Sequence, residues 1–171
     1  MEEARVSMPS EREVEISRAF KAPKALVYRA YTEASLFRRW CGAHPGWSMP
    51  VCEMDVRVGG SFCWRWRNDE DDTEFGFFGV FQQVEPGERI VHTESFDPGG
   101  TGFGMGESVV AVTFSEVDGV THVTTRITYA SQQARDSAMQ TGMTDGMELS
   151  YQLLDGVVSG ESSRLEVEQR C

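Results

Sequence analysis

The sequence predicts an α+β fold, in which a curved antiparallel sheet of about six to seven strands surrounds a long C-terminal helix and two short helices follow the first strand. Alternating segments separated by turn sequences fill residues 47–130, with no helical pattern between them. Apolar residues at helical spacing replace this alternation after residue 131. The chain has 171 residues, which suits a single domain of ordinary size.

The first elements are a strand and two short helices. Residues 13–20 alternate charged side chains with Val14 and Ile16, as a half-buried strand does. A helix begins near Pro23, because proline loses no hydrogen bond at the first helical position. A second helix follows, in which apolar residues recur at helical spacing up to Trp40.

The middle of the chain consists of strands joined by short turns. Turn sequences occur at Gly59-Gly60, at Pro86-Gly87 and at Asp118-Gly119. Because such turns join neighbouring strands, the sheet is expected to be antiparallel. Residues 97–106 are rich in glycine but lack the lysine of a phosphate-binding loop and precede no helix. We interpret them as a flexible loop that gates an internal cavity.

A long amphipathic helix is predicted within residues 131–158. The residues of its apolar face are Ala138, Met139, Met143, Met147, Tyr151, Leu154 and Val158. Gly142 and Gly146 lie inside this segment, so a kink or a division into two helices stays open. The predicted domain covers residues 13–158, between a disordered N-terminus at 1–12 and a flexible C-terminal tail at 159–171.

The composition excludes several classes of protein. The formal net charge is −11, from 27 acidic and 16 basic residues, which argues against binding to nucleic acid. No apolar run approaches the roughly 18 residues that a membrane-spanning helix needs. Residues 1–12 lack the apolar core of a signal peptide, so we expect a cytoplasmic protein.

The cysteines predict neither a metal site nor a disulfide framework. Cys41, Cys52, Cys63 and Cys171 include no Cys-x-x-Cys pair, and no second close pair completes a set of four ligands. Scattered cysteines of this kind usually serve as small buried apolar residues in a reducing compartment. We therefore expect no metal, and no cofactor motif is found.

Four segments carry a resemblance to a known family. They are FKAPKALVYRAYTEASLFRRW, VCEMDVRVGGSF, GVFQQVEPGERIVHTE and ARDSAMQTGMTDGMELSYQLLDGVV, which occur in this order between residues 20 and 158. The chain resembles the activator of heat-shock protein 90 ATPase homologue 1-like family, within the START-like (helix-grip) superfamily, over roughly residues 13–158. The resemblance implies a cavity between the sheet and the long helix.

The resemblance does not imply a single activity. Relatives in the wider superfamily bind lipids, hormones or polyketides, and a few are cyclases. The eukaryotic namesake stimulates the ATPase of a chaperone and carries an additional N-terminal domain, which the polar residues before Glu13 do not provide here. The family often places a tryptophan at the position of Met147, so this chain is expected to leave more room there.

Aromatic residues at a period of two are the candidate ligand-binding residues. They alternate on two consecutive strands, so they share one face of the sheet and either fill the core or line a cavity. Methionines of the long helix face the same interior and adapt to varied ligands. The candidate ligand-binding residues are Trp40, Met54, Phe62, Trp64, Trp66, Phe75, Phe77, Met143, Met147 and Tyr151.

Three titratable residues are weak candidates for catalysis. If the hairpin at Arg57–Gly60 had a two-residue turn, Asp55 would lie opposite Phe62 and Glu53 opposite Trp64, and both carboxylates would face the cavity. A shift of one residue would place Cys52, Met54 and Val56 there instead, and this register is favoured because buried carboxylates without partners are costly. His92 lies on a later strand and is either structural or a general base.

Three functions are compatible with these patterns. The first is a binding module for a small hydrophobic or amphipathic molecule. The second is an interaction protein that uses an outer surface, for example with a chaperone partner. The third is an enzyme of cyclase or hydrolase type that uses cavity carboxylates or the histidine. The sequence leaves a homodimer open.

Overall fold

The computed structural model describes residues 3–99 and 106–170, and within these ranges the chain forms eight strands and four helices. The strands are β1 (Arg5–Ser7), β2 (Glu13–Phe20), β3 (Trp47–Met54), β4 (Ser61–Asn68), β5 (Glu74–Glu85), β6 (Arg89–Asp97), β7 (Glu107–Val117) and β8 (Val120–Thr128). The helices are α1 (Lys24–Thr32), α2 (Ala34–Cys41), α3 (Gln132–Met139) and α4 (Met143–Arg170).

All eight strands belong to one antiparallel sheet, in the order β1-β2-β8-β7-β6-β5-β4-β3. The sheet curves around α4, and the predicted α+β architecture is confirmed. The register shifts between Ser48 and Val51 on β3 and between Phe81 and Gln83 on β5. Such bulges increase the local twist of a sheet, which helps it to curve.

The terminal segments differ from the prediction. Residues 1–12 were expected to lack structure, but β1 pairs with β2, and the Ala4 amide donates to Glu148 Oε2 at 2.8 Å. The C-terminal helix continues beyond residue 158 to Arg170. Glu161 of this extension is buried and bonds to Arg39 of α2 at 2.6 Å. Because this ion pair joins residues that are far apart in the sequence, the local sequence pattern does not predict the extension of the helix.

The long helix is divided where the two glycines suggested. α3 ends at Met139 and α4 begins at Met143. Gly142 between them has a φ of 77°, a left-handed conformation that residues with a Cβ rarely adopt. Gly146, in contrast, lies within the first turns of α4. One of the two glycines therefore breaks the helix, and the other is accommodated inside it.

The core lies between the sheet and the layer formed by α1, α2 and α4. Val14 and Ile16 of β2 are fully buried, as are Val27 of α1 and Leu154 of α4. The backbone of α4 approaches α2 and α1 more extensively than it approaches any strand that is described. Side chains, rather than close backbone contacts, therefore span the space between the helix and the sheet.

A buried arginine connects this helix to the sheet. Arg18 lies on the inner face of β2, is only 4% exposed, and donates from Nη1 and Nη2 to the two carboxylate oxygens of Asp155, each at 2.8 Å. Glu148, two turns earlier on α4, lies 3.4 Å from Nη2. A bidentate pair of this kind fixes both distance and orientation. Arg18 thus holds α4 against β2.

We expect Arg18→Met to lower the free energy of unfolding by about 3 kcal/mol, because the substitution leaves two carboxylates of α4 without their buried partner. Arg126→Met is the matched control, since Arg126 also pairs with two carboxylates, Glu13 and Glu15, but on the exposed face of the sheet. That change is expected to cost much less, because solvent screens an exposed ion pair. Urea unfolding measures both, and equal losses would contradict the role given to Arg18.

Candidate functional site

The register of β3 and β4 decides which residues face α4. Met54 pairs with Phe62 and Cys52 with Trp64, so the apolar residues of β3 face inward. The chain reverses over six residues rather than two: the Asp55 amide donates to Ser61 O at 2.9 Å, and the Gly60 amide donates to Arg57 O at 2.8 Å. This longer reversal shifts the register by one residue and produces the favoured apolar arrangement.

Glu53 and Asp55 consequently lie outside the candidate site. Both are exposed on the outer side of the sheet or at its edge. The Asp55 carboxylate accepts a hydrogen bond from Arg57 Nε at 2.8 Å, so it has a charged partner on the surface. The interpretation of these two acids as cavity groups is wrong for this structure, because the register directs them away from α4.

The predicted aromatic residues form a continuous wall on the inner face. Trp64 stacks between Phe62 and Phe37 of α2, with ring centroids 4.1 Å and 4.7 Å apart. Further along the sheet, Trp66 stacks on Phe75 at 5.2 Å. Phe77 lies 5.9 Å from Trp66, and Phe96 of β6 extends the wall at 5.3 Å from Phe77. Phe96 was not among the candidates.

The wall is covered unevenly. Phe62, Trp66 and Tyr151 are buried, and Trp40 is buried with its Nε1–H donating to Ala30 O at 2.9 Å. Trp40 is therefore held in the helical layer. The other candidates remain partly accessible although they face inward: Met54, Trp64, Phe75, Phe77, Met143 and Met147. Incomplete cover is thus found on the part of the inner face that β4 and β5 form.

His92 lies within this wall as a neutral side chain. Its ring packs against Phe62 at 4.8 Å and Trp64 at 5.9 Å, and it is buried. Nδ1 lies 2.9 Å from the carbonyl oxygen of Thr93, which can only accept, so the proton is on Nδ1. Burial lowers the pKa of His92 to about 4. Its Nε2 therefore presents a lone pair to the interior.

Glu94 is a further titratable residue of the inner face, which the candidate set omitted. It follows His92 by two residues and so shares its face of β6, a parity visible in the sequence. Continuing the register from the Phe78–Ser95 pair places Gly79 opposite Glu94. A Cβ at Gly79 would lie 2.7 Å from Cε1 of Phe62. The missing side chain thus lets the Phe62 ring lie close to β5 beside the Glu94 position.

The electrostatics of Glu94 are those of a carboxyl in an apolar environment. Burial raises its pKa to about 7. The hydrogen bond described for this residue involves its backbone, where the Glu94 carbonyl accepts from the Ser108 hydroxyl at 3.3 Å. Among the described residues, no side chain donates to its carboxylate. Glu94 therefore changes its charge near neutral pH while facing aromatic rings.

A second polar group of the wall also lacks a partner. The Nε1–H of Trp64 is buried and makes no hydrogen bond within the described residues. Trp40 and Trp66 differ, since their Nε1–H groups donate at 2.9 Å to the carbonyls of Ala30 and Cys41. A buried donor without a partner is costly. A polar atom of a bound molecule would remove this cost at Trp64.

Other polar features of the described chain offer less to a ligand. A surface depression of about 510 Å³ surrounds Arg65, but Asp97 neutralises that guanidinium at 2.6 Å. No group of histidine, cysteine and acidic residues in the described ranges could hold a metal ion.

Residues 100–105, the centre of the predicted gating loop, lie outside the described residues. Across 3–99 and 106–170, no helix has the length and apolar character required to cross a membrane.

We expect Glu94→Gln to stabilise the protein at pH 8 but not at pH 4.5. Because the pKa of Glu94 is raised in the folded state, the unfolded chain loses this proton first, and stability falls as pH rises from about 4.5 to about 7. Glutamine removes that loss, which we place at about 2 kcal/mol for a partly accessible carboxyl. Urea unfolding at a series of pH values measures the difference between the two proteins.

The comparison of variants isolates Glu94 from the other titrating groups. The low pKa of His92 makes both proteins less stable as pH falls below about 6.5, and this contribution cancels in the difference. Glu53→Gln serves as the control, since that carboxylate is exposed on the outer face. A difference between wild type and Glu94→Gln that does not vary with pH would contradict the assignment.

Solved structures with the same architecture come from several bacteria. A protein of Rhodobacter sphaeroides has a TM-score of 0.84 and 28% identity, with 93% of this chain and 99% of that chain covered. Protein Ms6760 of Mycobacterium smegmatis has a TM-score of 0.81 and 21% identity, covering 92% and 97%. CalU16 of Micromonospora echinospora has a TM-score of 0.57 and 21% identity, covering 96% and 89%.

Sequence comparison identifies the family. A search of curated proteins gives no significant match. The family model for Activator of Hsp90 ATPase homolog 1-like protein, in contrast, matches residues 21–159, which include α1, the strands from β3 to β8 and the first half of α4. This match covers most of the chain and agrees with the resemblance in the sequence segments. The chain belongs to the Activator of Hsp90 ATPase homolog 1-like family and has its helix-grip fold.

Proposed function

We propose that the protein binds one small hydrophobic or amphipathic molecule between the inner face of the sheet and α4. The observation that carries this proposal is the uneven cover of the aromatic wall. Trp64, Phe75 and Phe77 face inward yet stay partly accessible, whereas the β2 side of the same face is fully buried. Large aromatic surfaces are normally covered in a folded protein, and a ligand would complete the cover here.

The properties of α4 support the same location. Met143 and Met147, in the first turns of the helix, are partly buried and pack against the core, and flexible thioether side chains adapt to ligands of different shape. The backbone of α4 stays away from the strands, which leaves the intervening volume to side chains and to a bound molecule. The unpaired Trp64 Nε1–H gives that molecule a point of orientation.

An outer surface provides a second candidate function. Phe78 and Val80 are 50% and 43% exposed on the outer face of β5. Exposed apolar residues grouped on one strand are typical of protein contacts, and family membership is compatible with a chaperone-associated role. Phe78→Ser would weaken such a contact and leave ligand binding in the interior unchanged, so this variant separates the two functions.

We expect an environment-sensitive hydrophobic dye to bind the folded protein saturably, with about one-to-one stoichiometry. Met147→Trp is expected to reduce the affinity by about tenfold or more, because the larger ring occupies volume beside the wall while the helix is retained. Leu149→Trp is the matched control: it lies two residues further on the same helix but is exposed. Fluorescence titration gives the affinities, and thermal unfolding shows that each variant is folded.

Native mass spectrometry of freshly purified protein provides an independent readout, since a ligand that fills the site is expected to be retained. Trp64→Ala and Met147→Ala should each weaken dye binding, as each removes part of the wall. If a folded Met147→Trp variant bound the dye as wild type does, the site between sheet and helix would be excluded.

A further inference from the structure

We infer that the molecule bound between the sheet and α4 carries a protonated amine on an apolar body, and that the Glu94 carboxylate holds this amine. The inference rests on the proposed function, because it names the chemical class of the ligand for that same site. It also assigns to Glu94 the role of specificity-determining residue. Three independent features of the interior support it: an unpaired carboxylate, a wall of aromatic faces and a lack of available cations.

The first feature is the missing partner of Glu94. Glu94 is partly buried, and a carboxylate that loses part of its hydration on folding gains from a donor or a cation in compensation. Arg18, a buried cation of the same sheet face, is not available: both its terminal nitrogens bond to Asp155, and Nη2 also approaches Glu148. The compensation that the described residues do not provide would come from the ligand.

The second feature is the set of titratable groups that face Glu94. His92 on the same strand is neutral, burial raises the pKa of Tyr129, which directly follows β8, to about 12, and burial raises the pKa of the Cys41 thiol at the end of α2. In the first turns of α4, the partly buried side chains that pack against the core are the uncharged thioethers of Met143 and Met147. The described surroundings of Glu94 thus contain no positive charge at neutral pH, and an anionic ligand would find no counterion.

The third feature is the aromatic wall itself. Aromatic faces carry partial negative charge and attract ammonium groups within about 6 Å. Phe77 and Phe96 lie next to each other, with centroids 5.3 Å apart, and Phe96 follows Glu94 by two residues on the same face. The Trp64 ring on β4 also lies near His92, with ring centroids 5.9 Å apart. An ammonium beside Glu94 would therefore meet both a carboxylate and aromatic faces, while its apolar body lies along the wall.

The charge of the whole protein acts in the same direction. With a net charge of −11, the molecule attracts cations and repels anions as they approach. A bound ammonium also favours the ionised form of Glu94, so amine affinity should increase as pH rises through about 7 and then level off. An uncharged ligand of the same shape should show no such increase.

Three matched probes test the inference: naphthylmethylamine, naphthylmethanol and naphthoate, which share an aromatic body and differ in charge. We expect the wild-type protein at pH 8 to bind the amine about tenfold more tightly than the alcohol, and the carboxylate most weakly. Glu94→Gln should remove this preference and leave the affinity for the alcohol within about twofold. Titration calorimetry or tryptophan fluorescence measures the affinities.

Two further variants complete the experiment. Glu94→Leu removes the carboxylate and, unlike Glu94→Gln, introduces no amide that needs hydrogen-bond partners. It should likewise abolish the preference for the amine. Glu53→Gln deletes an exposed carboxylate and should leave all three affinities unchanged. Circular dichroism and thermal unfolding establish that each protein is folded before binding is compared.

The outcomes separate this inference from the proposed function. Saturable binding of all three probes without a preference for the amine, or a preference that survives in both Glu94 variants, would overturn the inference and leave the binding site in place. Equal weakening of amine and alcohol by Glu94→Gln would show that Glu94 acts as a neutral hydrogen-bonding group and would also overturn it. If no probe bound to the wild-type protein, the proposed function would fail together with the inference.

Discussion

The bidentate ion pair between Arg18 and Asp155 is the constraint on which the relation of helix to sheet depends. Because Arg18 is buried, displacing α4 would leave a charge without its partner in an apolar interior. The pair lies on the β2 side, where Leu154 and Val158 also pack into the closed core. The β2 side of the inner face is therefore closed by the ion pair and by close packing, whereas Trp64, Phe75 and Phe77 of β4 and β5 on the same face stay partly accessible.

Polar groups of the interior are paired in several places: Arg18 Nη1 and Nη2 with a carboxylate, Trp66 with a main-chain carbonyl, and His44 with Ser150 at 2.6 Å. Within the described residues, three buried side-chain atoms have no hydrogen-bond partner: Arg18 Nε, the Tyr31 hydroxyl and Trp64 Nε1. Trp64 Nε1 differs from the other two in lying at the partly covered wall, on the same inner face as the Glu94 carboxylate, to which no described side chain donates. Because buried polar groups in folded proteins are normally satisfied, these are the two groups of the wall that the proposed ligand would pair.

The sequence predicted the architecture and most of the wall, because both follow from periodicity. Phe62, Trp64 and Trp66 face α4 as their alternation required, and the apolar register of Met54 opposite Phe62 followed from the cost of burying carboxylates. Arg18 and Glu94 obey the same alternation but are charged, and the assumption that charges face solvent hides them. The extension of α4 depends on the Glu161–Arg39 pair, a contact between distant segments that no local pattern contains.

The arrangement of His92 and Glu94 favours binding over hydrolytic or cyclase chemistry. Residues two apart on a strand are separated by about 6–7 Å and point the same way, so they do not orient one another as an acid–base pair would. The Nδ1 proton of His92 is bound to Thr93 O, and its pKa of about 4 makes it a weak base. Within the described residues, no hydroxyl or thiol is hydrogen-bonded to the side chain of His92 or Glu94, since the Ser108 hydroxyl donates to the main-chain carbonyl of Glu94. Of these two residues, only Glu94 changes its charge near neutral pH, and a partly buried carboxylate makes its strongest interactions with cations.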